Sequence, residues 1–420
     1  MADYPILVMD NGASTIKAGY AKQPETLHVI PNCKVTRGKG EKTTFTGDQL
    51  HKLSDYAGLY YRLPFEKGYL TNWEVQKSLW DRIFNRDILK VDPTRTSLLI
   101  TEPCFNFPNI QHCYDEMIFE AYEFYACCRV IAPYLCGYNN ISSLFPSQTP
   151  SVTERPDCIL VVDSGYSFTH IVPIVMGRPI LTAVRRINIG GKLLTNHLKE
   201  VVSFRHWDMM DQTYVVNEVK ETCCYVSKDF LGDLETCRRN PKDNPIVQEY
   251  VLPDFSRNSK GYVRDKKRSS RSTNDAYEDQ VLRMNNERFT IPELLFHPSN
   301  IGMNQAGIPE TIVESVNLTH AADLHGLFYS NIVLVGGNAL FPGYKERIEQ
   351  DLRVLAPSEY EVRVGMPENP ITYTWYGGSN YADSPDHRNK LVTRAEYMEH
   401  GSNICLQRFG MSEDVDGMQE

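Results

Sequence analysis

The sequence lacks three features that would each define a class of protein. Eleven cysteines are present, but none of them form a C-x-x-C pair, which argues against a zinc site or a disulfide framework and favours buried thiols in a reducing compartment. No apolar run approaches the ~20 residues that span a membrane, and the opening MADYP has no basic start of the kind a signal peptide has. The formal net charge is −9, so the chain has no excess of positive charge. This charge argues against a protein whose main function is to wrap nucleic acid.

The content that is present predicts a large globular protein with one polar segment. A chain of 420 residues is long enough for two or three domain-sized units, and 41% hydrophobic and 23% charged residues are ordinary values. Residues 256–280 are dense in serine and charge and almost free of aliphatic side chains, so they predict a disordered insertion. Lys266, Lys267 and Arg268 within it fit either a nuclear-import patch or a solvated loop.

A short motif near the start occurs twice. VMDNGASTIK (8–17) joins an apolar strand to a polar turn that holds an aspartate, a glycine and a lysine, and Asn-Gly alone is a common hairpin signal. The pattern returns 153 residues later as VVDSGYSFTH (161–170), with Asp10 matching Asp163 and Lys17 matching His170. Two hairpins of one design predict two lobes of similar architecture whose turns face a shared cleft.

A third glycine-rich turn follows another apolar strand. The sequence IVLVGGNALFPG (332–343) places Gly336 and Gly337 where backbone can approach a flat ligand, and a helix is predicted after it. A strand, a glycine-rich turn and a helix together present free N–H groups to anions.

Two function classes fit paired D-x-G turns. In a bilobal aspartic protease two aspartates share a proton, but that chemistry favours Ser or Thr between Asp and Gly, and Asn11, Tyr166 and Lys17 do not fit it. In a nucleotide clamp, backbone N–H groups hold phosphates, Lys17 reaches their oxygens and the aspartates hold a hydrated divalent metal. The clamp uses every part of the pattern and is favoured.

These motifs resemble those of the actin superfamily. VMDNGASTIKAGY resembles the first phosphate loop of actin, VDSGYSFTHIVP the second and LVGGNALFPGYKERI the adenosine turn. The resemblance continues through LPFEKGYLTNWEVQKSLWDRIF (63–84), LLITEP (98–103), RINIGGKLLTNHL (186–198), VKETCCYVSKDF (219–230) and MPENPITYTWYGGS (366–379). Within the superfamily, DSGYSFTHIVP, GGKLLTNHLKE, YVLPDFS, LPFEKGYL and PENPITY are most similar to the actin-related protein 6 group.

The resemblance implies an α/β, actin-like fold of two lobes around a central nucleotide cleft. The first lobe would comprise residues 1–150 and 372–420, with a smaller subdomain at about 33–68. The second would comprise residues 151–371, with a smaller subdomain at about 190–295 that contains the insertion. The implied ligand is ATP or ADP with a magnesium ion, and Asp10 and Asp163 would hold the magnesium ion through water. The implied nucleotide contacts are Asp10, Asn11, Gly12, Ser14, Thr15, Lys17, Asp163, Ser164, Gly165, Ser167, Gly191, Lys220, Glu221, Gly336, Gly337 and Phe341.

Several departures from actin predict weak or absent hydrolysis. Aligning residues 123–137 places Arg129 where actin has the glutamine that orients the attacking water, and a guanidinium cannot accept a hydrogen bond from water. Arg129 could instead stabilise phosphoryl charge or pair structurally. Tyr166 replaces an acidic residue, Ala13 replaces a serine, and Asn369-Pro370-Ile371 lacks the lysine that stacks near adenine. Nucleotide would be retained for structure, and no residue is assigned a catalytic role; an active ATPase is the alternative.

The resemblance also implies a scaffold role in the nucleus, with some protein in the cytoplasm. Members of the group are subunits of SWR-type remodelling complexes, which implies as partners a motor chain, a zinc-finger subunit and, indirectly, histones of the nucleosome. Filament formation is not expected, because the segment that actin inserts into its neighbour is replaced by a short basic stretch, RGKGEK (37–42). The acidic tail at 412–420 extends past the end of actin. No membrane contact is expected.

Overall fold

The computed structural model describes residues 4–37, 43–53, 55–56, 58–145, 158–240, 244–255, 258–264 and 279–410. Apart from Arg37, the basic stretch at 37–42 lies outside the described residues, as do Lys266 to Arg268 and the acidic tail, so the expectations about them stay predictions. The described part of the chain forms two α/β lobes, each built on a six-stranded sheet. Among these residues no helix has the length and apolar character that a membrane crossing requires.

The first lobe begins with a hairpin and a small antiparallel sheet. Its strands and helices are β1 (Ile6–Asn11), β2 (Thr15–Tyr20), β3 (His28–Pro31), β4 (Lys34–Arg37), β5 (Thr43–Thr46), β6 (Leu59–Arg62), β7 (Phe65–Glu66), β8 (Tyr69–Leu70), α1 (Trp73–Phe84), β9 (Ser97–Glu102), α2 (Pro108–Glu116), β10 (Ala126–Ile131) and α3 (Ala132–Cys136). Helix α1 begins where the Asn72 side chain accepts a hydrogen bond from the Val75 amide, and it buries Leu79, Trp80 and Ile83 on one face.

The second lobe repeats the opening hairpin. Its elements are β11 (Cys158–Ser164), β12 (Thr169–Val175), β13 (Arg178–Pro179), β14 (Arg185–Ile187), α4 (Gly191–Arg205), α5 (Thr213–Cys223), α6 (Phe230–Cys237), β15 (Gln248–Val251), β16 (Tyr262–Val263), β17 (Val281–Met284), α7 (Glu287–Thr290), α8 (Ile308–Asn317), α9 (His325–Ser330), β18 (Ile332–Val335), α10 (Tyr344–Leu355) and β19 (Val364–Gly365). The chain then returns to the first lobe through α11 (Tyr373–Tyr381), α12 (Pro385–Lys390), β20 (Val392–Thr393), α13 (Arg394–His400) and α14 (Ser402–Phe409).

The two large sheets share one topology. The first has the order β20-β10-β9-β1-β2-β3, and the second has the order β13-β12-β11-β18-β19, with β14 also paired to β12. In each sheet a hairpin (β1–β2 or β11–β12) has a parallel strand beside its first member, β9 or β18. The α/β fold with repeated hairpins is therefore confirmed.

The apolar core lies in layers around these sheets. Leu7 and Met9 of β1 face an outer cluster under α1 and α2, whereas Val8 faces a cluster that also contains Val161 and Val333 of the second sheet. Because side chains of a strand alternate between faces, the even-numbered residues of β1 point toward the other lobe. All eleven cysteines are free and nine are buried, as their sequence pattern predicts.

One sequence expectation fails in the smaller subdomain of the second lobe. Residues 258–264 belong to the predicted disordered insertion, yet Tyr262 and Val263 form β16 and pair with Val251 and Tyr250. Arg264 anchors this strand through ion pairs with Glu249 and Asp279, at 3.2 and 2.9 Å. The prediction of disorder is wrong for 258–264, because backbone pairing and charge replace the missing aliphatic contacts; residues 265–278 lie outside the described part.

Candidate functional site

The first glycine loop joins β1 to β2 and carries a paired carboxylate. Asp10 lies directly opposite Lys17 in the hairpin, and the Lys17 Nζ is 3.0 Å from the Asp10 carboxylate. Thr101, at the end of the parallel neighbour β9, donates a hydrogen bond of 2.8 Å to Asp10. The carboxylate is thereby fixed on the face of the sheet that points toward the second lobe.

The remaining residues of this loop have different roles. Asn11 points to the opposite face, where its side-chain amide donates to the Tyr114 hydroxyl at 3.0 Å. Asn32 shapes the turn by donating to the carbonyls of Gly12 and Ser14, each at 2.8 Å. Ser14 is exposed and Thr15 is half-buried at the start of β2. The structure therefore leaves Gly12, Ser14 and Thr15 available beside Asp10, while the Asn11 side chain is engaged elsewhere.

The second loop brings a matching carboxylate to the same place. Asp163 lies opposite His170 in β11–β12, as Asp10 lies opposite Lys17 in β1–β2. Burial and repulsion from Asp10 together raise the pKa of Asp163 to about 6, although Lys17 acts to lower it. Since each of these charges acts on Asp163, both hairpin turns converge on one cleft.

The partner of Asp163 gives the cleft an asymmetric charge. His170 is almost fully buried, and its pKa is lowered to about 3 by that burial and by Arg186. The imidazole is therefore neutral near pH 7, whereas Lys17 carries a charge at the matching position. Lys17, from the first lobe, supplies a cation beside the two carboxylates.

Buried hydrogen bonds hold the second loop against the third turn. The Ser164 hydroxyl lies 2.9 Å from the Thr169 hydroxyl, and the Asn338 side-chain amide donates to Ser164 and to the Gly165 carbonyl at 3.1 and 2.9 Å. The Ser164 side chain is therefore structural, whereas Gly165 and the half-buried Ser167 lie at the turn itself. Gly191 reinforces the loop, because its amide donates to the Gly165 carbonyl at 3.0 Å.

The third turn requires glycine at one of its two positions. Gly336 has φ +91°, and a Cβ there would lie 2.3 Å from the Ser164 carbonyl oxygen. A Cβ placed on Gly337 would have no atom of the described residues within 4 Å other than those of its chain neighbours, so the space beside this residue is open. Phe341, which ends the turn, is buried in the core of the second lobe.

Lys220 and Glu221 lie beside Gly191 but in different environments. Lys220 is buried, and its Nζ donates to the Gly191 carbonyl, to Thr195 and to Asn217 at 3.3, 2.9 and 2.9 Å. Burial lowers the pKa of Lys220. Glu221 is exposed and accepts a hydrogen bond of 2.7 Å from the Asn217 side chain. The ammonium fixes α4 against α5, and the carboxylate stays at the surface.

The donor set suits a hydrated divalent cation. Two carboxylates that repel each other across the cleft are stabilised by positive charge between them, and Mg²⁺ keeps several of its waters when one or two carboxylates bind it. No cluster of three or more His, Cys, Asp or Glu side chains that could hold a metal occurs in the part of the chain that the structure describes. Asp10 and Asp163 would therefore hold the ion through water.

The comparisons with known proteins cover almost the whole chain. The family model for actin matches residues 1–410. The chain belongs to the actin family. Three relatives are the actin-like protein ARP6 of Cryptococcus neoformans (44% identical, covering 98% of this chain and 85% of the relative), actin-related protein 6 of Drosophila melanogaster (40%, 96% and 99%) and actin-related protein 6 of Oryza sativa subsp. indica (39%, 96% and 98%).

These matches confirm the actin-like fold and the similarity to the actin-related protein 6 group. The actin fold generally holds ATP or ADP with magnesium. How the individual residues contact a nucleotide stays a prediction.

Arg129 is not where the alignment with actin places it. It lies in β10 on the same face as Cys127, whose side chain belongs to the outer cluster, and Cys128 faces the other lobe. Its guanidinium, 1% exposed, pairs with Asp115 and lies 3.3 Å from Glu102. The prediction that Arg129 occupies the water-positioning place is wrong, because strand alternation directs the side chain away from Asp10.

Tyr166 enters the cleft from the second loop. Its ring lies 3.6 Å from the position of a Cβ on Gly191, beside Lys220 and Asn338. Burial, with a smaller contribution from Cys33 of the first lobe, raises the pKa of the Tyr166 phenol to about 12. The ring therefore lies between the two lobes, next to the residues expected to surround the nucleoside.

Sequence reasoning missed four residues that position the loops: Thr101, Tyr114, Asn32 and Asn338. Thr101 carried a signal, since it follows the apolar strand LLI and parallel strands end at one edge of a sheet. Asn338 follows the Gly-Gly pair directly. Tyr114 and Asn32 act through contacts with residues distant in sequence, and no local sequence pattern predicts these contacts.

Proposed function

We propose that this protein is a non-polymerising actin-related scaffold subunit of an SWR-type, ATP-dependent chromatin-remodelling complex that exchanges a histone H2A variant into nucleosomes. It works in the nucleus, is also present in the cytoplasm, and contacts a motor chain, a zinc-finger subunit and, indirectly, histones. The main support is similarity along the full chain to proteins named actin-related protein 6, together with an intact pair of carboxylate loops.

The nucleotide in this proposal is structural. Lys17 would neutralise phosphate oxygens as a point charge, Gly12 and Gly165 leave their loops open to phosphate, and Asp10 and Asp163 would hold the hydrated magnesium ion. Magnesium would supply the positive charge that two facing carboxylates and a phosphate chain require. The open space beside Gly337 would receive the adenosine.

Weak or absent hydrolysis is supported by the composition of helix α3. Helix α3 follows β10 directly and has the sequence APYLC, so this helix supplies no side-chain amide that could accept a hydrogen bond from an attacking water. The Tyr134 hydroxyl, the most polar group of this helix, is paired with Tyr138 at 2.7 Å. Loss of one well-placed polar group typically lowers a rate about 10²–10³-fold.

The nucleotide part is tested on the purified full chain. Bound nucleotide is released with acid and measured by chromatography, and a single-turnover assay with labelled ATP measures hydrolysis. We expect about one nucleotide per chain in the wild type, loss of it in Lys17→Met, and retention in Lys22→Met, which removes an exposed lysine paired with Asp383. An empty wild type under saturating Mg·ATP would refute the binding, and turnover at the rate of actin would support the ATPase alternative.

The scaffold part is tested by affinity purification from nuclear extract with mass spectrometry. We expect a motor chain and a zinc-finger subunit to co-purify in constant proportion. A second measurement, pelleting with Mg·ATP over a range of concentrations, should show no filaments. Recovery of the protein alone, or pelleting above a critical concentration, would contradict the proposal.

A further inference from the structure

The smaller subdomain of the first lobe has a small apolar core that the other lobe completes. We call this core the mouth cluster; its buried members are Cys33, Val35, Leu50, Tyr56 and Leu59. Tyr214 of α5 and Phe255, both from the second lobe, pack against it. A core of five buried side chains is too small to be stable by itself, so these two rings from across the cleft are part of its structure.

A pair of tyrosines makes the central contact of the mouth cluster. The rings of Tyr56 and Tyr214 are stacked, with centroids 4.0 Å apart and planes only 3° from parallel. The Tyr56 hydroxyl donates to the Leu50 carbonyl at 3.3 Å, which fixes the ring on its own lobe. Stacked aromatic pairs contribute binding free energy beyond the area that they bury.

The second lobe holds a strained aromatic residue in the same contact. Phe255 has φ +56°, a left-handed conformation that is costly for a bulky side chain, and its ring lies 6.3 Å from that of Tyr56. Phe255 also packs against the core of its own lobe, so it joins that core to the mouth cluster. Such a conformation persists only where the surrounding contacts enforce it.

Two tyrosine hydroxyls at this contact are uncharged near pH 7. Burial raises the pKa of the Tyr214 hydroxyl, and Tyr56 and the carboxylate of Glu218 raise it further. Burial likewise raises the pKa of Tyr61, which neighbours Cys33 and Tyr56. Because the hydroxyls of Tyr214 and Tyr61 stay protonated near pH 7, neither adds a negative charge where the two lobes meet.

One member of the mouth cluster lies near the second glycine loop. Cys33 is close enough to Tyr166 to affect the pKa of its phenol, and Tyr166 lies beside Gly191 and Lys220. Tyr166 therefore connects the mouth cluster to the residues around the proposed nucleotide site. Separation of the smaller subdomains requires the Tyr56–Tyr214 stack to break.

We propose that the stacked rings of Tyr56 and Tyr214 form a latch across the cleft, and that opening of this latch limits the rate at which nucleotide enters and leaves. The proposal rests on the proposed nucleotide site. It explains how a nucleotide retained for structure stays bound although several contacts made in actin are missing.

The test measures nucleotide release from the full chain. Wild type and variants are loaded with a fluorescent N-methylanthraniloyl derivative of ADP with magnesium, and its dissociation is followed after adding excess unlabelled ATP. We expect Tyr56→Ala and Tyr214→Ala to release it about 10- to 100-fold faster, from the lost ring burial and stacking. The double variant should be no faster than the faster single variant, because either change breaks the same contact.

Three controls separate the latch from a general loss of structure. Tyr214→Phe keeps the stacked ring and should release nucleotide at the wild-type rate. Tyr56→Phe loses only the hydrogen bond to Leu50 and should stay close to that rate. Tyr60→Ala removes a 61% exposed tyrosine from the same subdomain and should change nothing. Release from Tyr214→Ala at the wild-type rate, or equal acceleration by Tyr60→Ala, would overturn the proposal.

Hydrogen exchange tests the latch without nucleotide. In the nucleotide-free chain, Tyr214→Ala should increase deuterium uptake in β4 and β6 of the other lobe, since their core loses a ring. Unchanged uptake there would overturn the latch. If the wild type holds no nucleotide but Tyr214→Ala still increases the uptake, the nucleotide site is refuted and the contact between the lobes is supported.

Discussion

At the scale of single residues, the Gly-Gly turn offers a matched pair of substitutions. Gly336→Ala forces a side chain onto a backbone at φ +91°, 2.3 Å from the Ser164 carbonyl, and should lower the free energy of unfolding by about 1–3 kcal/mol or more. Gly337→Ala meets no atom of the described residues within 4 Å other than those of its chain neighbours and should change stability by less than about 0.5 kcal/mol. Urea unfolding without nucleotide measures both.

The same pair reports on the nucleotide. If adenosine packs beside Gly337, the Gly337→Ala protein should be as stable as wild type but bind nucleotide more weakly, as measured by titration calorimetry. Wild-type affinity in Gly337→Ala would place the adenosine elsewhere in the cleft.

Arg129 predicts a large, pH-dependent effect on stability. Arg129→Met leaves Asp115 and Glu102 buried without their cation, which should cost about 3–5 kcal/mol near pH 7. Burial already raises the pKa of Asp115 to about 6 in the wild type. A carboxyl group whose pKa is raised in the folded state stabilises the fold at low pH and loses that contribution as the pH rises through this pKa. The stability loss in Arg129→Met should therefore be smaller at pH 5 than at pH 7.

Arg408→Met is the control for this prediction. Arg408 pairs with Glu396 at 2.9 Å, but both side chains are about a third exposed, so the loss should be about 1 kcal/mol or less and nearly independent of pH. Thermal unfolding of both variants from pH 5 to pH 8 gives the comparison. Equal losses would show that the buried cluster is not specially dependent on its arginine.

How far the sequence could predict the site differs between residues. Asp10 and Asp163 were found because the repeat preserved the strand, the turn and the spacing together. Arg129 was misplaced because alignment by residue type does not show which face of a strand a side chain occupies, and a shift of one residue reverses that face. Tyr114 could not be found, because its contact with Asn11 joins parts of the chain 103 residues apart.

At the scale of elements, alternation along β1 separates two neighbouring residues. Asp10 faces the cleft and Asn11 faces Tyr114 on the other side of the sheet. Asp10→Asn should therefore abolish nucleotide retention with a modest effect on the fold. Asn11→Ala should cost about 1–2 kcal/mol of stability, for a lost buried hydrogen bond, and should leave retention unchanged.

Chromatography of released nucleotide and urea unfolding, applied to both variants, check this prediction. Tyr114→Phe removes the same hydrogen bond from the other side and should resemble Asn11→Ala. Loss of nucleotide in Tyr114→Phe would show that the outer face also shapes the site.

Elements with strong patterns were predictable and weakly patterned ones were not. Both hairpins and the strand before Gly336 are apolar runs that end in turn residues, which fixes them locally. Strand β16 has two residues and only one aliphatic side chain, so no periodic signal exists, and it forms because β15 offers an unpaired edge. Pairing between distant segments supplies what composition does not show.

At the scale of the whole molecule, the two lobes share an apolar cluster. Val8 and Leu99 of the first sheet pack with Val161 and Val333 of the second, and the Trp375 indole donates to the Val8 carbonyl at 3.1 Å. We therefore expect one unfolding transition in calorimetry, with or without nucleotide. Mg·ATP at about 1,000 times its dissociation constant should add about 4 kcal/mol.

Chelation of magnesium should lower the midpoint of this transition without dividing it. Two separate transitions in the nucleotide-free protein would show that the lobes unfold independently. A midpoint that does not respond to Mg·ATP would contradict the nucleotide site.

The return of the chain to the first lobe has a practical consequence. Strand β20 closes the edge of the first sheet beside β10, and α11 packs on β1, although both follow the whole second lobe in sequence. A chain that ends at residue 145 would thus have an unpaired edge strand at β10 and an exposed apolar surface where Trp375 packs on β1. We expect such a fragment to aggregate. Deletion of residues 158–365, with the flanking ends joined by a flexible linker, would keep α11 and β20 with the first sheet. This deletion is therefore the better route to an isolated first lobe.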